Sequence, residues 1–285
     1  MRFRALSLLA LCAPLLTAAA QSDPRWRSLD VSRQLRDTAP QRIKVQYDAG
    51  RVDVRPTDAS LLFGMHLRYD EDRASPVHRH DAEQRSTVLG LESRGNAFPA
   101  SSSRHEDSGE LRVVLPRTIP LDLDMEFGGT QAALELGGLA LQSARIEFGA
   151  TEGTLAFSTP NRTHMRELEV GIGAAEFNAL HLANANADLI RVRGGVGSVD
   201  LDFSGTWTRD LEVSTRLAIG GLTLRVPDDV GLRLDVRRVA ASFDHEGLVK
   251  RDDGWYSANW DTAPHKLHVR AETVIGQIEV KQSTR

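Results

Sequence analysis

The stretch Leu217-Ala218-Ile219-Gly220-Gly221-Leu222-Thr223-Leu224-Arg225-Val226-Pro227 decides the fold of this chain. In its second half Leu222, Leu224 and Val226 share one face of an extended strand, and the polar residues between them share the other. The apolar run before it ends at a glycine pair, which is typical of a tight turn or bulge. The stretch therefore predicts a strand, a glycine turn and a second strand with one buried face.

The same unit recurs along the chain. Residues 195–203 repeat it upstream, residues 275–280 repeat it near the C-terminus, and residues 43–54 contain an early copy. From residue 111 onward, successive glycine turns are separated by about 21 to 25 residues, a period typical of solenoids. One unit cannot bury its apolar face alone, whereas stacked units join their Leu, Ile, Val and Phe side chains into one core. The pattern predicts an all-β fold, a glycine-punctuated β-solenoid preceded by a small β module.

The N-terminus is typical of a cleaved signal peptide covering residues 1–20. Arg2 and Arg4 precede an apolar segment at 5–17, and Ala18-Ala19-Ala20 supplies small residues for cleavage. The apolar segment is shorter than the ~20 residues of a membrane span. We therefore expect export to the periplasm or cell exterior, with no transmembrane helix in the mature chain.

The single cysteine, Cys12, lies inside this segment, so the mature chain would contain no disulfide. A lipid anchor on Cys12 is the alternative, but a small residue would be needed where Leu11 stands. We therefore expect cleavage after Ala20.

The remaining chain divides by composition into four parts. Residues 21–41 are polar and predict an arm docked on the first strands, with a short helix around 32–36. Residues 42–93 predict the N-terminal β module, residues 94–110 a polar loop, and residues 111–285 the solenoid.

Charge and motifs exclude several classes of function. The net charge is -4 and charges of both signs are interspersed, so no basic stripe indicates nucleic-acid binding. The chain has no Gly-x-Ser-x-Gly elbow, no P-loop and no His-Glu-x-x-His motif. We therefore predict no catalytic residues, no cofactor and no metal.

Two patterns resemble sites but are better explained otherwise. The pairs Asp122/Asp124 and Asp200/Asp202 alternate with apolar residues, which predicts the outward face of amphipathic strands. His78 and His80 lie near Asp70, Glu71 and Asp72, yet no set with metal-ligand spacing completes them, so we interpret a solvated loop.

An aromatic hairpin near the C-terminus is the best candidate for a partner surface. Asp252-Asp253-Gly254 is a strong turn signal, and Trp255, Tyr256 and Trp260 follow within six residues. We expect Trp255 and Trp260 mainly to cover the open end of the solenoid core, and the exposed edges of the cluster to contact a partner.

Glycine-punctuated repeats of this kind resemble the bacterial putative-adhesin and LiaF-like toast-rack β-domains. The resemblance is closest over residues 195–227 and 260–280, and residues 45–69 look like the N-terminal toast-rack module. It implies a β-solenoid in or beyond the cell envelope that acts by contact rather than catalysis. LiaF-type proteins carry membrane helices before this domain and are associated with envelope-stress signalling, whereas this chain begins with the expected signal peptide.

The sequence thus favours a non-enzymatic binding or scaffold module of the bacterial envelope, adhesin-like or related to envelope stress. Its partner would be an envelope protein, a glycan or a lipid surface. Two alternatives stay open: a β-helical polysaccharide-active enzyme, which needs converging carboxylates, and a membrane-peripheral stress sensor that uses the arginines of the arm.

Overall fold

The structure, a computed structural model, describes residues 24–94, 109–251 and 253–283. Within these ranges the chain forms fifteen β-strands and one short 3-10 helix, Leu182–Ala185. The strands are β1 (Trp26–Gln34), β2 (Gln41–Thr57), β3 (Leu61–Asp70), β4 (Ala74–Asp81), β5 (Ser86–Ser93), β6 (Glu110–Pro116), β7 (Pro120–Glu135), β8 (Ala140–Ala156), β9 (Met165–Leu180), β10 (Ala187–Asp202), β11 (Leu211–Pro227), β12 (Val230–Asp244), β13 (Leu248–Arg251), β14 (Gly254–Ser257) and β15 (His265–Ser283). The expected signal peptide, Cys12 and most of the polar loop lie outside the described residues.

All fifteen strands belong to one sheet, with the order β1-β3-β6-β2-β7-β8-β9-β10-β11-β15-β12-β14-β13, and with β5 paired to both β2 and β4. From β2 to β12 in this order every neighbouring pair is parallel. These eight strands are 15 to 19 residues long, and each stacks on the next as one rung of a solenoid. The predicted all-β solenoid is confirmed.

No helix among the described residues has the length and apolar character that crossing a membrane requires.

Each rung bends in its middle around the core, and the burial pattern shows where. Val192 and Val199 of β10 are both buried although they are seven residues apart. In a straight strand an odd separation puts two side chains on opposite faces. The strand must therefore turn between them, and the next rung repeats this between Leu217 and Leu222.

Glycine is required at the bends of β10, β11 and β15 because these rungs approach closely. Gly220 has a φ of 142°, and a Cβ atom there would lie 1.7 Å from the carbonyl oxygen of Gly197 in the rung before it. Gly276 has a φ of 141°, and its Cβ would lie 1.8 Å from the oxygen of Gly220. Both glycines thus have the positive φ that glycine adopts readily in a turn. However, the sheet pairing continues through the bend, Gly197 to Gly220 to Gly276, so each unit is one bent strand and not two.

Apolar columns and buried amides hold the rungs together. The rings of Phe127, Phe148 and Phe177 stack across three rungs, with centroids 5.7 Å and 5.5 Å apart. On the side where the chain returns from one rung to the next, the buried Asn184 donates from Nδ2 to the Phe157 carbonyl at 2.8 Å. Its Oδ1 accepts a bond from the backbone N–H of Thr206 at 2.8 Å. These amides satisfy backbone groups that the strand ladder leaves unpaired.

The expectations for the N-terminal region need three corrections. The helix predicted around 32–36 is wrong, because β1 runs through Trp26–Gln34 and pairs antiparallel with β3. The segment is also no mere polar arm: Leu29 and Val31 alternate with polar residues and pack against the core. In addition, β2 is a full rung that pairs with β7 along both of its halves, so the N-terminal strands continue the solenoid sheet.

The C-terminal strand is out of order in space. β15 lies between β11 and β12, parallel to both. The last rung of the sheet is therefore β12, and the β13–β14 hairpin lies beyond it.

Candidate functional site

The predicted aromatic hairpin is present at the C-terminal end of the sheet. β13 and β14 pair antiparallel from Leu248↔Ser257 to Arg251↔Gly254, and β14 pairs with β12 at two positions. This confirms the hairpin and its place beyond the last rung. Its use as a partner surface remains a prediction.

Tyr256 is the buried ring of the hairpin, with only 5% of its surface exposed. Its hydroxyl donates to Asp253 Oδ1 at 2.7 Å, and this hydrogen bond raises the pKa of Tyr256 and lowers that of Asp253. The Arg251 guanidinium lies 4.7 Å from the ring centroid, and Trp260 meets the ring edge-on at 5.3 Å. Tyr256 is thus held by contacts within the chain.

The two tryptophans differ from the expectation that both cap the core. Trp255 is half-buried, packs against the core and stacks on His245 with ring centroids 4.3 Å apart. Trp260 is also half-buried, with Lys266 Nζ 5.3 Å from its ring centroid, but it contacts Tyr256 rather than the core cluster. Consecutive strand residues point to opposite faces, so Trp255 cannot share one surface with Tyr256.

Sequence reasoning missed a group of exposed aliphatic side chains, which we call the bend ridge. It comprises five side chains at the bends of β10, β11, β15 and β12, with these exposed fractions: Val196 52%, Ile219 46%, Val274 43%, Ile275 49% and Val239 82%.

The register of the sheet makes the ridge continuous. Val196 pairs with Ile219 and Ile219 pairs with Ile275, while Val239 precedes Ala240, the partner of Ile275. Neighbouring strands are about 4.8 Å apart, so four rungs give a ridge about 14 Å long. The signal in the sequence was an aliphatic residue directly before each bend glycine. Apolar alternation does not show whether such a residue lies on the buried or the exposed face.

The two sides of the bend ridge carry different side chains. We call the paired positions Val196, Ile219, Ile275 and Ala240 the ridge row. Three residues before them in the four rungs lie Arg193, Arg216, Glu272 and Arg237. Arg238 adjoins Val239. Two residues after the ridge row lie Ser198, Gly221, Gln277 and Ser242, none of them charged.

Only some of the arginines on this flank form ion pairs. Arg193 pairs with Glu169 of the neighbouring rung, and Arg216 Nε lies 2.9 Å from Glu272 Oε2. Arg237 and Arg238 form no ion pair with any residue in the described ranges. The flank therefore carries an excess of positive charge beside the aliphatic side chains.

A second surface feature is an open groove of about 530 Å³ on the outer face of the sheet, where the strands continue after their bends. Asp53, Glu110, Glu152 and Glu176 line it. Asp53 binds Arg55 at 2.6 Å, Glu110 binds Arg112 at 2.7 Å, and Glu152 accepts a bond from Gln131 at 3.3 Å. Three of the four carboxylates are thus already engaged by neighbouring side chains.

The aspartate pairs lie on the outward strand face, as predicted. Asp200 makes a bidentate contact with Arg225, at 2.6 Å to 3.0 Å, and Asp202 accepts bonds from the backbone N–H and hydroxyl of Ser204. Asp122 contacts Ser143 and lies 3.4 Å from Arg166. These contacts explain the carboxylates as links between rungs and at strand ends.

The interpretation of a solvated loop is wrong, because His78 and His80 lie on strand β4, which pairs with β5. They are not gathered with the nearby acids. His80 Nδ1 is 3.0 Å from Thr87 Oγ1, and burial together with Arg33 lowers its pKa. Glu71 instead contacts Arg25 and Arg27, both at 2.6 Å. Across the described ranges, no three His, Cys, Asp or Glu side chains are placed to share a metal ion.

Comparison with solved structures finds distant likenesses. A "putative cell adhesion protein" from Clostridium sporogenes is 16% identical, with a TM-score of 0.47, and the match covers 92% of this chain and 100% of that one. A "putative adhesin" from Bacteroides fragilis is 9% identical, with a TM-score of 0.43 and coverage of 90% and 98%. A "putative lipid binding protein" from Parabacteroides distasonis is 8% identical, with a TM-score of 0.29 and coverage of 91% and 95%. Comparison with curated proteins finds no significant match.

The sequence itself gives the family. The profile described as "N-terminal domain of toast_rack, DUF2154" matches residues 27–178, which is just over half of the chain. This range begins in β1 and ends in β9, so it includes the N-terminal strands and the first rungs of the solenoid. The chain belongs to the toast-rack family.

Proposed function

We propose that this protein is a non-enzymatic binding module of the bacterial cell envelope, exported by a cleaved signal peptide, which holds its partner by contact along the bend ridge. An adhesin-like role and a role in envelope stress both use such a contact. The observation that carries the proposal is the ridge itself: five exposed Val and Ile side chains lie contiguously on four adjacent rungs.

The energetics of burial favour a binding role for these side chains. Covering apolar surface contributes roughly 25 cal/mol per Å², so several half-exposed Val and Ile residues supply a useful binding energy when a partner covers them. Single exposed apolar residues are common on protein surfaces, whereas a contiguous patch indicates an interaction site.

The scaffold supports the same proposal, because it holds the ridge in one conformation. The glycine stack beneath the ridge fixes the bends of β10, β11 and β15 against the rung before each, and pairing continues on both sides. Little conformational entropy is therefore lost when a partner binds.

The polysaccharide-active enzyme is the second candidate, and the carboxylate-lined groove favours it. We rank it lower because Asp53 and Glu110 are already paired with arginines and Glu152 with an amide. Release of reducing sugar from envelope polysaccharide, abolished by Glu152→Gln or Glu176→Gln, would instead establish the enzyme.

The test is binding of the purified mature protein to washed envelopes of the host bacterium. We expect saturable binding that Ile219→Ser/Ile275→Ser weakens. The matched control is Leu180→Ser, which removes an exposed aliphatic side chain away from both the ridge and the hairpin. Absence of binding, or equal loss in both variants, would refute the proposal.

The proposed export has its own test in the mass of the protein recovered outside the cytoplasm. We expect a mature N-terminus near Gln21 and no Cys12. A lipid-modified Cys12 would contradict cleavage after Ala20.

A further inference from the structure

We propose that the partner of the bend ridge is a lipid bilayer with anionic headgroups, onto which the solenoid docks by this corner. The inference rests on the function proposed above and specifies its partner. It combines two observations, the row of exposed aliphatic side chains and the arginines on one side of that row.

The shape of the ridge fits a bilayer surface. The ridge lies on the outside of a bend whose inner residues, such as Val192 and Val199, are in the core, so its side chains project from a convex corner. A convex corner has no groove for a peptide, but lipids rearrange around it. Side chains on such a corner reach the boundary between headgroups and acyl chains, which lies about 5–10 Å deep.

The charge pattern selects an anionic surface. One flank of the ridge carries Arg193, Arg216, Arg237 and Arg238 together with Glu272. Arg193 and Arg216 are paired with Glu169 and Glu272, so Arg237 and Arg238 supply the excess positive charge. The first row of residues on the opposite flank is uncharged. With the aliphatic residues at the acyl boundary, guanidinium groups on the flank lie at the level of the phosphates. The whole chain has a net charge of -4, so its other faces are repelled by the same surface and the molecule is oriented.

Two other occupants fit less well. A second copy of the chain would need about 800 Å² per partner for a stable interface, and five partly exposed Val and Ile side chains supply much less. An acidic protein partner would typically meet aromatic anchors in a well-packed pocket, whereas the ridge is aliphatic and convex.

The experiment is vesicle flotation of the full exported chain. One set of vesicles contains phosphatidylcholine with about 30 mol% phosphatidylglycerol, and the other contains phosphatidylcholine alone. We expect the protein to float with the anionic vesicles, less so at high salt, and to stay unbound with the neutral ones.

We compare the vesicle binding of two ridge variants with that of two matched controls. Arg237→Gln/Arg238→Gln should weaken binding about 30-fold, since one charge near an anionic surface contributes about fivefold. Ile219→Ser/Ile275→Ser should weaken it about tenfold or more. The controls Arg36→Gln/Arg42→Gln and Leu180→Ser should bind within about twofold of the wild type. Circular dichroism verifies that each variant is folded.

The outcomes separate this inference from the function on which it rests. Binding to envelopes without binding to anionic vesicles would overturn the lipid assignment and indicate an acidic envelope protein, while the binding role would stand. Failure with both would overturn both proposals. Ridge variants that change the sedimentation coefficient of the protein would identify a second copy as the occupant and would also overturn the inference.

Discussion

At the bend of β11 two adjacent glycines have different roles, and substitution separates them. Gly220 has a φ of 142° and faces the carbonyl oxygen of Gly197 in the rung before it, whereas a Cβ on Gly221 would meet no atom within 4 Å. We expect Gly220→Val to lower the free energy of unfolding by about 3 kcal/mol or more, because both the backbone and the rung spacing must change. Gly221→Val should change it by less than about 1 kcal/mol. Urea denaturation measures both, and equal losses would contradict the close approach of the rungs.

A buried hydroxyl offers a substitution that should stabilise the protein. Thr273 is 1% exposed, and its Oγ1 has no hydrogen-bond partner among the described residues. Thr273→Val replaces an unpaired hydroxyl with a methyl group, so we expect about 1 kcal/mol of stabilisation in thermal or urea unfolding.

The control for this substitution is Thr130, which is also buried but is hydrogen-bonded. Its Oγ1 lies 3.3 Å from Thr151 Oγ1, which in turn donates to the Gly128 carbonyl. Thr130→Val should therefore destabilise by about 1 kcal/mol. Destabilisation of similar size at both positions would show that Thr273 does have a partner.

The alternation of apolar and polar residues predicted which face of a strand each side chain lies on. It did not predict the hydrogen bonds of buried polar side chains. Leu222, Leu224 and Val226 are buried as alternation predicts, because burial on one face of a strand has period two. At the bend the period is lost, so the exposure of Ile219 and Ile275 could not be derived. Hydroxyl pairing such as Thr130–Thr151 depends on register between rungs, which a single strand does not specify.

At the scale of elements, the hairpin can be tested through its buried and exposed rings. Tyr256→Ala removes a ring that is 5% exposed and should cost about 3–5 kcal/mol. Trp260→Ala removes a half-buried ring that contacts mainly Tyr256 and lies outside the core cluster, so it should cost about half as much or less. Urea unfolding followed by circular dichroism measures both. A larger loss at Trp260 would restore the expectation that its ring covers the core.

The hairpin should also respond to acid. The Tyr256 hydrogen bond lowers the pKa of Asp253 below its ordinary value of 3.8. A carboxylate with a lowered pKa in the folded state stabilises fully above its unfolded pKa, and this stabilisation is lost as the pH falls through the folded value. We therefore expect the melting temperature to decline below about pH 4 in part through this group.

Asp253→Asn is the variant that isolates this contribution. It cannot ionise, so its melting temperature should be lower at neutral pH and should fall less steeply below about pH 4. Melting curves from about pH 2.5 to 6, followed by tryptophan fluorescence, compare the two proteins. Parallel pH profiles would show that Asp253 does not contribute to the acid response.

Local signals predicted some elements and misled on others. The hairpin was predictable because an Asp-Gly turn between two short runs acts over a few residues. β1 was not, because its alternation of Leu29 and Val31 with polar residues was outweighed by charge and by flanking prolines. Its strand form depends on β3, which lies about 40 residues away in the sequence and supplies the pairing partners.

At the scale of the whole molecule, the order of the rungs was the least predictable property. Both β12 and β15 present apolar alternation that fits against β11, so periodicity does not choose between them. One residue does: β15 has Gly276 at its bend, which continues the stack of Gly197 and Gly220, whereas β12 has Ala241 there. An alanine Cβ in the glycine conformation would overlap the oxygen of Gly220, so β15 can repeat the conformation of the β11 bend, whereas β12 takes a different backbone conformation at Ala241.

This order makes the C-terminal strand an interior rung, and truncation tests that. A chain ending at Ala263 loses β15 and leaves β11 and β12 without their shared neighbour. In a solenoid each rung is stabilised mainly by the rungs beside it, so we expect β12 to unfold with the loss of β15 and β11 to become exposed. Hydrogen exchange should then show lost protection in β11 and β12, with β7 to β9 remaining protected. The control replaces residues 248–257, the outermost hairpin, with a short Gly-Ser linker, and it should leave β15 and β11 protected. Protection of β12 in the truncated chain would mean that β12 can pair with β11 directly, and that the rung order is not fixed by the glycine stack.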